Sequence, residues 1–556
     1  MTAAGNAPGR VAEVGTPSGD GTSAPGPKDS LLLDPAADPG AAHLGASGAE
    51  ASVDTSWLDM LRRRVAARTV GSSRYRWWAL VALLAGLLAL NITFTVFVVA
   101  FPTVKSDFHT DFSVLTWAST GPLLAFGVGA PFFGKVGDLF GHRRLYLFGL
   151  IGAMVSALIT ATSPDVGMLL FGRALDGLQG SATGTASMAL ILKLFEPEER
   201  IKALGWWSLV GAGGPVIGVT LGAPVIQYLG WRALFWGQLG LLVMAALVVA
   251  LILPRHRFDE RIRPQPGEEG RSWKGMDWVG SWSLAGAVTA AMLALSVGPI
   301  VGWSSPLVIG STAGALAFVA LFWWREVTHA TPLIPLEYLR RRNFMFPMGA
   351  RAFTNFAYFG GFFLFPLLAE QVYGYSISKV GFVSVARPLL FAVCSPVAGY
   401  LTVRTGERLA SMVGAVAVLA SMVLFALLTP SSGLVVLVIA LTLSGIGMGV
   451  ALPATSSTMA NEVAEAEYGV MSSAQLLATQ VGEVAGIQVV LTVQESITRH
   501  GGLENVHHGA ALLHSFQIPF WIAAGVAAAG VACTFFVRAM ARPEQARRDR
   551  PGIATA

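Results

Sequence analysis

Stretches of about 20 predominantly apolar residues, the length that crosses a bilayer core as an α-helix, recur roughly fourteen times in this chain. Backbone N–H and C=O groups inside lipid need internal partners, which favours helices over irregular chain. The spans are predicted near 77–101, 113–134, 144–163, 166–195, 202–226, 232–253, 277–299, 305–325, 345–372, 380–402, 408–428, 432–454, 468–494 and 516–538. The sequence therefore predicts an all-α membrane protein with many spans.

The composition argues against a soluble enzyme. Only 13% of the 556 residues are charged and 53% are hydrophobic, whereas a soluble domain carries about 25% charged residues. Cys394 and Cys533 lie in apolar runs and suit neither a disulfide framework nor a metal site. A match to the spacing of a phosphate-binding loop ends at Lys135, but Val136 stands where a magnesium-binding Ser or Thr is needed. We expect no enzyme activity, cofactor, metal or nucleic-acid partner.

Basic residues are concentrated in every second predicted loop, which is the pattern of cytoplasmic loops in membrane proteins. With the N-terminus inside, the outer loops hold little beyond Lys105, Lys379 and Arg499. The C-terminal tail is basic too. We therefore expect a multi-pass protein of the cell inner membrane, with both termini in the cytoplasm and an even number of spans.

A glycine-rich charged motif follows the second span and reads Gly134-Lys-Val-Gly-Asp138-Leu-Phe-Gly141-His-Arg143-Arg144. Glycines allow tight turning and close approach of backbones, and the acid can pair with the arginines at a helix end. Such pairs would latch one conformation and release another. The alternative interpretation is a basic cytoplasmic loop with a simple turn.

This motif resembles the signature loop of the major facilitator superfamily, which runs Gly, three residues, Asp, two residues, Gly, then Arg or Lys. Arg173-Ala-Leu-Asp176 resembles the family's intramembrane arginine motif, and Gly214-Pro215-Val-Ile-Gly218 is similar to the motif that marks its antiporters. Trp231-Arg232 resembles a pair found in the drug:proton antiporters with fourteen spans. The resemblance covers about 450 residues with several motifs in the same order.

The resemblance implies the major facilitator fold, in which two six-helix bundles are related as parallel repeats and two helices are inserted between them. The tail before the first span is predicted to be disordered because it is rich in Ala, Gly, Pro and Ser, and the first span is expected to act as the retained targeting signal. The expected boundaries are a disordered tail at 1–56, a basic juxtamembrane segment at 57–76, the N-terminal bundle at 77–253, a cytoplasmic loop at 254–276, the inserted helices at 277–325, a cytoplasmic loop at 326–344, the C-terminal bundle at 345–538 and a basic cytoplasmic tail at 539–556.

The acids depart from the family pattern. This branch usually has an Asp in the first span at the position of Thr93, and Val403 stands where the second-half echo of the signature loop would have an Asp. Conversely, Asp176 occupies a place often filled by Gln, and Glu483 replaces a small residue. The family's proton site therefore does not carry over directly.

Ionisable residues inside a span are costly and usually face a cavity or a partner. Arg173 and Asp176 are three residues apart on one helix and close enough to pair. The pair is either structural or a coupling device in which Asp176 binds and releases a proton, a role that the resemblance favours. Glu483, in a glycine-rich span, is the strongest lone candidate for protonation. Glu370, near the outer end of its span, is interpreted as solvated, with proton coupling as the alternative.

Polar residues within the spans are candidates for the substrate cavity, namely Asn91, Thr93, Arg351, Asn355 and Arg387. Arg387 precedes a proline and either binds an anionic substrate or caps a broken helix.

We predict a secondary transporter that binds its substrate near the midplane between the bundles and exposes it alternately to the two sides. The resemblance implies proton-driven efflux of a hydrophobic or amphiphilic small molecule by a monomer in the lipid bilayer. One alternative is a dedicated exporter of a single natural product or lipid, which the intramembrane arginines would allow to be anionic. The other is a non-transporting receptor or scaffold on the same fold.

Overall fold

The computed structural model describes residues 74–110, 112–253, 277–329, 332, 334, 336–502 and 510–538, and they belong to one compact unit. The described part contains helices and no strands. The helices are α1 (Tyr75–Val99), α2 (Phe101–Phe108), α3 (Phe112–Phe140), α4 (His142–Ala161), α5 (Val166–Leu194), α6 (Pro197–Leu229), α7 (Arg232–Ile252), α8 (Trp278–Val301), α9 (Pro306–Thr328), α10 (Leu336–Arg340), α11 (Arg342–Gln371), α12 (Ile377–Ser384), α13 (Ala386–Thr405), α14 (Glu407–Ala426), α15 (Leu434–Ala460), α16 (Tyr468–His500) and α17 (Ala510–Phe536). The predicted tails at 1–56 and 539–556 and the loop at 254–276 lie outside the described residues, as does nearly all of 57–76.

Each predicted span coincides with a helix, and the tenth is the kinked pair α12 and α13. Thirteen helical segments of the described chain are long and apolar enough to cross a membrane. The remaining long helix is α5, whose hydropathy is lowered by Arg173, Asp176 and a run of Gly, Ser and Thr. The all-α prediction is confirmed.

Two segments expected to be loops are largely helical. The motif from Gly134 to Arg144 contains only one residue outside a helix, because α3 continues to Phe140 and α4 begins at His142. Gly141, with φ of 99°, makes that turn in a conformation that glycine adopts without strain. The expected loop at 326–344 likewise contains the end of α9, all of α10 and the start of α11.

Helix starts follow local sequence signals. Asp165 caps α5 by accepting the Met168 N–H at 2.9 Å, and Asp277 caps α8 by accepting the Gly280 N–H at 2.8 Å. Pro197 opens α6, where a missing N–H costs nothing. These signals determine the first residues of α5, α6 and α8.

The two halves repeat one packing pattern. In the first half, α1 packs on α6 and α7, α3 and α4 pack on α5, and α4 packs on α7. In the second half, α11 packs on α16 and α17, α13 and α14 pack on α15, and α14 packs on α17. The same five pairings in the same chain order make the halves parallel repeats.

The halves meet along two seams, one between α3 and α16 and one between α6 and α13. The two seams are equivalent in the repeat, because α3 corresponds to α13 and α6 corresponds to α16. The inserted helix α8 packs on α9 and also against α3 and α16. Val288 and Met292 of α8 form an apolar cluster there with Val484 of α16. The insertion therefore covers the α3–α16 seam.

The bundle has two ends, which we name after two turns. The Gly141 end holds the α3–α4 and α13–α14 turns and the starts of α6 and α16, whereas the Gly230 end holds the α6–α7 turn and the starts of α5 and α12.

Candidate functional site

Asp138, near the end of α3, binds the start of α16 across the seam. Its carboxylate oxygens accept the backbone N–H groups of Gly469 and Val470, each at 2.9 Å. These N–H groups lie in the first turn of α16, which has no side-chain cap from its own cap residue. A helix N-terminus favours a negative charge. An acid of one half therefore caps a helix of the other half.

The two helices also touch backbone to backbone beside this cap. A Cβ atom at Gly134 would lie 2.5 Å from the carbonyl oxygen of Gly469 and from the Cβ of Ser473. Such contacts essentially do not occur, so this position requires glycine. The glycines of the motif therefore serve close approach at Gly134 and turning at Gly141.

The side chain that pairs with Asp138 is His142 rather than the predicted arginines. His142 Nε2 lies 3.0 Å from Asp138 Oδ1. Arg143 is buried and donates to the carbonyl oxygen of Leu253 at 2.6 Å, which joins the start of α4 to the end of α7. Arg144 is exposed. The sequence analysis missed His142, although its four-residue spacing from Asp138 on adjoining helices signals a contact.

The α6–α13 seam repeats the backbone contact. A Cβ at Gly399 would lie 2.7 Å from the carbonyl oxygen of Ile201, and one at Gly205 would lie 2.7 Å from that of Ser395. Gly399 stands in the echo of the signature motif at the place of Gly134.

The second seam lacks the acidic cap. Val403 occupies the echo position of Asp138, and α6 has no side-chain cap from its own cap residue. The two seams therefore differ: an acidic side chain caps α16 at the first, and none caps α6 from the echo position at the second.

Both seams widen away from the Gly141 end. A Cβ at Gly127 would lie 3.7 Å from the Cβ of Gln480, and one at Gly213 would lie 3.6 Å from that of Ala392. These are ordinary contact distances. Seven or eight residues closer to the Gly141 end, the corresponding distances at Gly134, Gly205 and Gly399 are at most 2.7 Å. The halves are closed tightly at the Gly141 end.

A second polar connection crosses between the halves at this end. Arg200 of α6 donates to Asn461 Oδ1 at 3.3 Å, and Asn461 donates to Glu407 at 3.4 Å. Glu407 also accepts a hydrogen bond from Ser457, and the Arg200 guanidinium lies 5.1 Å from the Tyr468 ring. The sequence analysis missed Glu407 and Asn461, because they approach Arg200 only through the packing of the halves.

The short helix before α11 is also attached at this end. Tyr338 donates a hydrogen bond to Glu467, and Arg341 donates to the carbonyl oxygen of Glu462 at 2.7 Å. Burial first, and then the bond to Glu467, raise the pKa of Tyr338 to about 12, so the phenol keeps its proton at physiological pH.

The predicted Arg173–Asp176 pair forms in the first half. Arg173 Nη1 donates to Asp176 Oδ2 at 2.7 Å, and its Nε donates to the carbonyl oxygen of Ala118 in α3 at 3.1 Å. Gln179 donates to the other oxygen of Asp176 at 2.9 Å, and the guanidinium lies 5.0 Å from the Phe97 ring. The Asp176 side chain keeps 12% exposure, whereas Arg173 is buried. The Asp176 carboxylate is therefore paired with a buried counter-ion and is not itself fully buried.

Arg351 in α11 is buried among neutral acceptors. Its Nε donates to Thr479 at 2.6 Å and its Nη1 to Ser456 at 3.1 Å. Asn355 donates to the Arg351 carbonyl oxygen at 2.8 Å. Among the described contacts of Arg351 no carboxylate occurs, so neutral side-chain acceptors, including the Gln475 amide oxygen, surround this cation.

Arg387 is fully buried in α13, and none of its three guanidinium nitrogens has a hydrogen-bond acceptor in the described part of the chain. Its charge lies 4.1 Å from the Tyr358 ring and 5.9 Å from the Phe362 ring. The helix is interrupted at Val385, but the Arg387 side chain does not cap the break. Glu483 is buried in α16 and, like Arg387, acts electrostatically on Tyr358.

The other predicted residues are dispersed. Glu370 is exposed at the Gly230 end of α11. A Cβ at Gly214 would lie 2.6 Å from the Cβ of Asn91, so the antiporter-like motif packs α6 against α1. Gly218 is buried, whereas the side chains of Thr93 and Pro215 lie outside the described residues. Within the described ranges no group of His, Cys, Asp or Glu could hold a metal ion.

A sequence profile described as Major Facilitator Superfamily matches residues 81–283 and 274–487. The chain is 30% identical to the puromycin resistance protein pur8 of Streptomyces alboniger over 433 residues, covering 77% of this chain and 84% of that protein. It is 27% identical to the tetracenomycin C resistance and export protein of Streptomyces glaucescens, covering 74% and 75%.

Solved structures of related fold include the proton:xylose symporter XylE, with a TM-score of 0.60 at 12% identity, covering 84% of this chain and 97% of that chain. The human organic anion transporter MFSD10 has a TM-score of 0.59 at 17% identity, covering 83% and 99%. These two likenesses concern the fold.

Proposed function

The chain belongs to the Major Facilitator Superfamily, and from this premise we propose that it is a proton-coupled exporter of a hydrophobic or amphiphilic small molecule. The names of its relatives, which refer to puromycin resistance and to tetracenomycin C resistance and export, support efflux. The observation that carries the proposal is that the two halves are packed more tightly at the Gly141 end than farther along the seams, because alternating access requires two halves that separate at one end while they close at the other.

We assign the Gly141 end to the cytoplasm, with both termini there, in a multi-pass monomer of the inner membrane. Arg144, Arg341 and Arg404 lie at this end, and an excess of Lys and Arg marks cytoplasmic loops. In this assignment the protein is closed to the cytoplasm. A cysteine at Arg341 should react only with reagents that enter the cell, and one at Gly501 should react from outside. Labelling of the first from outside would reverse the orientation.

Opening to the cytoplasm must break the cap that Asp138 makes on α16. Two backbone N–H groups then lose their acceptor, and the carboxylate keeps His142 beside it. The acid therefore stabilises one conformation by bonds that exist only while the halves are closed, which is what a two-state switch needs.

Coupling is assigned to Asp176 and Glu483. Protonating a carboxylate inside the membrane removes a charge, and a state that buries the carboxyl group is favoured by that change. Asp176 has Arg173 as counter-ion and partial exposure, and Glu483 lies buried in α16, the helix that Asp138 caps.

The test uses purified protein in liposomes that contain a pH-sensitive dye, with puromycin and ethidium as probes. Addition of a transported probe should move protons in the opposite direction, and Asp138→Asn should reduce this movement strongly. Absence of proton movement with every probe, together with intact binding, would favour the receptor interpretation. Movement with one natural product alone would favour the dedicated exporter.

A further inference from the structure

Three arginines buried deep in the spans differ in how their charge is satisfied. Arg173 pairs with a carboxylate at 2.7 Å, and Arg351 donates to two hydroxyl groups. Arg387 is 0% exposed, and all three of its nitrogens lack an acceptor in the described chain. A buried guanidinium without acceptors has lost its hydration and gained no hydrogen bond in return. The buried charge of Arg387 therefore lowers the stability of the unliganded protein.

The described ring contacts of the Arg387 guanidinium are with Tyr358 and Phe362, and the carboxyl group of Glu483 acts electrostatically on Tyr358. The Tyr358 ring lies 4.1 Å from the guanidinium carbon and the Phe362 ring 5.9 Å from it. Phe391, one turn further along α13, stands edge-on to Tyr358 at 5.9 Å. Rings attract a cation by cation–π interaction, but they accept none of its N–H groups in the plane of the guanidinium. The Tyr358 hydroxyl group also interacts with the guanidinium, but no Arg387 nitrogen has a hydrogen-bond acceptor of ordinary geometry in the described chain.

Arg387 belongs to α13, the helix that packs on α6 at the second seam. It is ten residues from the start of α12, about 15 Å at 1.5 Å per residue, which places it near the middle of a bilayer core of about 30 Å. The apolar cluster around Tyr358 and Phe391 includes Ala212 of α6. The α6–α13 seam therefore borders the apolar cluster to which Tyr358 and Phe391 belong.

We propose that Arg387, Tyr358 and Phe362 form a subsite for the acidic group of an amphiphilic aromatic anion, which enters when the α6–α13 seam opens. A guanidinium binds a carboxylate through two parallel N–H···O bonds, and the rings pack against the apolar body. The inference rests on the proposed exporter and names its substrate class. The same chemistry, an anionic oxygen group on an apolar body, occurs in a small carboxylic acid and in an anionic lipid.

The test is equilibrium dialysis with the full-length protein in nanodiscs of zwitterionic lipid, with binding to empty nanodiscs subtracted. Naphthalene-2-carboxylate should bind at least about tenfold more tightly than naphthalene-2-carboxamide, since hydrogen bonds to charged groups contribute that much or more. Arg387→Met should abolish the preference. Arg404→Gln, which removes an exposed arginine from the same helix, is the matched control and should retain it.

Two results would overturn the proposal: equal binding of carboxylate and carboxamide by the wild type, or an unchanged preference in Arg387→Met. Phosphatidylglycerol added to the nanodiscs distinguishes the two sources. Competition with the carboxylate identifies a lipid ligand, and its absence identifies a small-molecule anion.

A stability measurement separates this role from a structural one. Without ligand, Arg387→Met should raise the melting temperature because it removes an unsatisfied charge, whereas Arg351→Met should lower it because it removes the hydrogen bonds to Thr479 and Ser456. A lower melting temperature or misfolding of Arg387→Met would make Arg387 structural and contradict the proposal. Failure of the exporter itself would appear differently, as carboxylate binding without substrate-driven proton movement.

Discussion

The Asp138 carboxylate of α3 accepts the backbone N–H of Gly469 in α16 at 2.9 Å, although the two residues are 331 positions apart. A helix cap contributes about 0.5–2 kcal/mol, whereas an exposed ion pair contributes about 0–1 kcal/mol. The cap also has a fixed geometry, because N–H groups at a helix start point in one direction. Closure of the halves at the Gly141 end is therefore specific in register as well as favourable.

Asp138→Asn should weaken the closed state by about 1–2 kcal/mol. Asparagine keeps the volume, but it carries no charge and presents an NH₂ group where one oxygen accepts a backbone N–H. Transport in proteoliposomes should fall strongly while expression and folding stay near normal. A cysteine at Ser473, in a background without native cysteines, should react faster with thiol reagents.

The matched control is Asp165→Asn, which makes the same substitution at a helix cap within one half, where Asp165 accepts the Met168 N–H at 2.9 Å. It should leave the reactivity at Ser473 unchanged. Normal transport by a well-expressed Asp138→Asn protein would rule out the latch.

Gly134→Ala should force the α3–α16 seam apart, because its Cβ would lie 2.5 Å from the Gly469 carbonyl oxygen. Overpacking of this kind costs about 1–3 kcal/mol. Spin labels at Arg144 and Arg404, both exposed at the Gly141 end, should report a longer distance by double electron–electron resonance.

Gly121→Ala is the control on the same helix, since no heavy atom lies within 4 Å of its added Cβ. It should leave the label distance unchanged. Identical distance distributions for the two alanine variants would show that the seam tolerates a methyl group.

Hydropathy and helix spacing predict what depends on neighbours along the chain. The spans are apolar over a bilayer thickness, and Arg173 and Asp176 are three residues apart on one helix, so the sequence predicts both the spans and the ion pair. The sequence does not predict that α3 extends through Gly134 to Phe140, because glycine locally disfavours a helix interior and the packing of α3 on α16 overrides this preference.

Contacts between the halves cannot be predicted from the sequence either. Asp138 and Gly469 meet only where the two six-helix halves pack on each other, as do Arg200 and Asn461. The two interpretations of Arg387 also stayed open in sequence, because whether a buried cation has acceptors depends on side chains from α11 and α15 rather than on its neighbours in α13.

Arg173→Ala should lower the free energy of unfolding by about 3–5 kcal/mol, because it leaves the Asp176 carboxylate without its counter-ion inside the membrane. The double variant Arg173→Ala, Asp176→Ala should regain part of this loss. Thermal unfolding of the three proteins in one detergent measures the difference. Equal stability of the single and the double variant would mean that the 2.7 Å pair contributes no net coupling energy.

The proton must be carried by a carboxylate within the spans if the exporter is proton-coupled, and Thr93 and Val403 cannot supply one. The partly exposed Asp176 beside Arg173 and the buried Glu483 in α16 are the two acids placed to do so. We expect Asp176→Asn and Glu483→Gln each to abolish substrate-driven proton movement in proteoliposomes while substrate binding persists, because each amide keeps the shape of the acid and cannot release a proton.

Glu370→Gln is the comparison variant, because Glu370 is exposed at the Gly230 end of α11 and a solvated acid gains little from a change of conformation. It should keep most of the proton movement. Full proton-coupled transport by the double variant Asp176→Asn, Glu483→Gln would defeat the assignment. Loss of coupling in Glu370→Gln alone would transfer the role to that residue, and transport that is insensitive to all three substitutions would require a driving ion other than the proton.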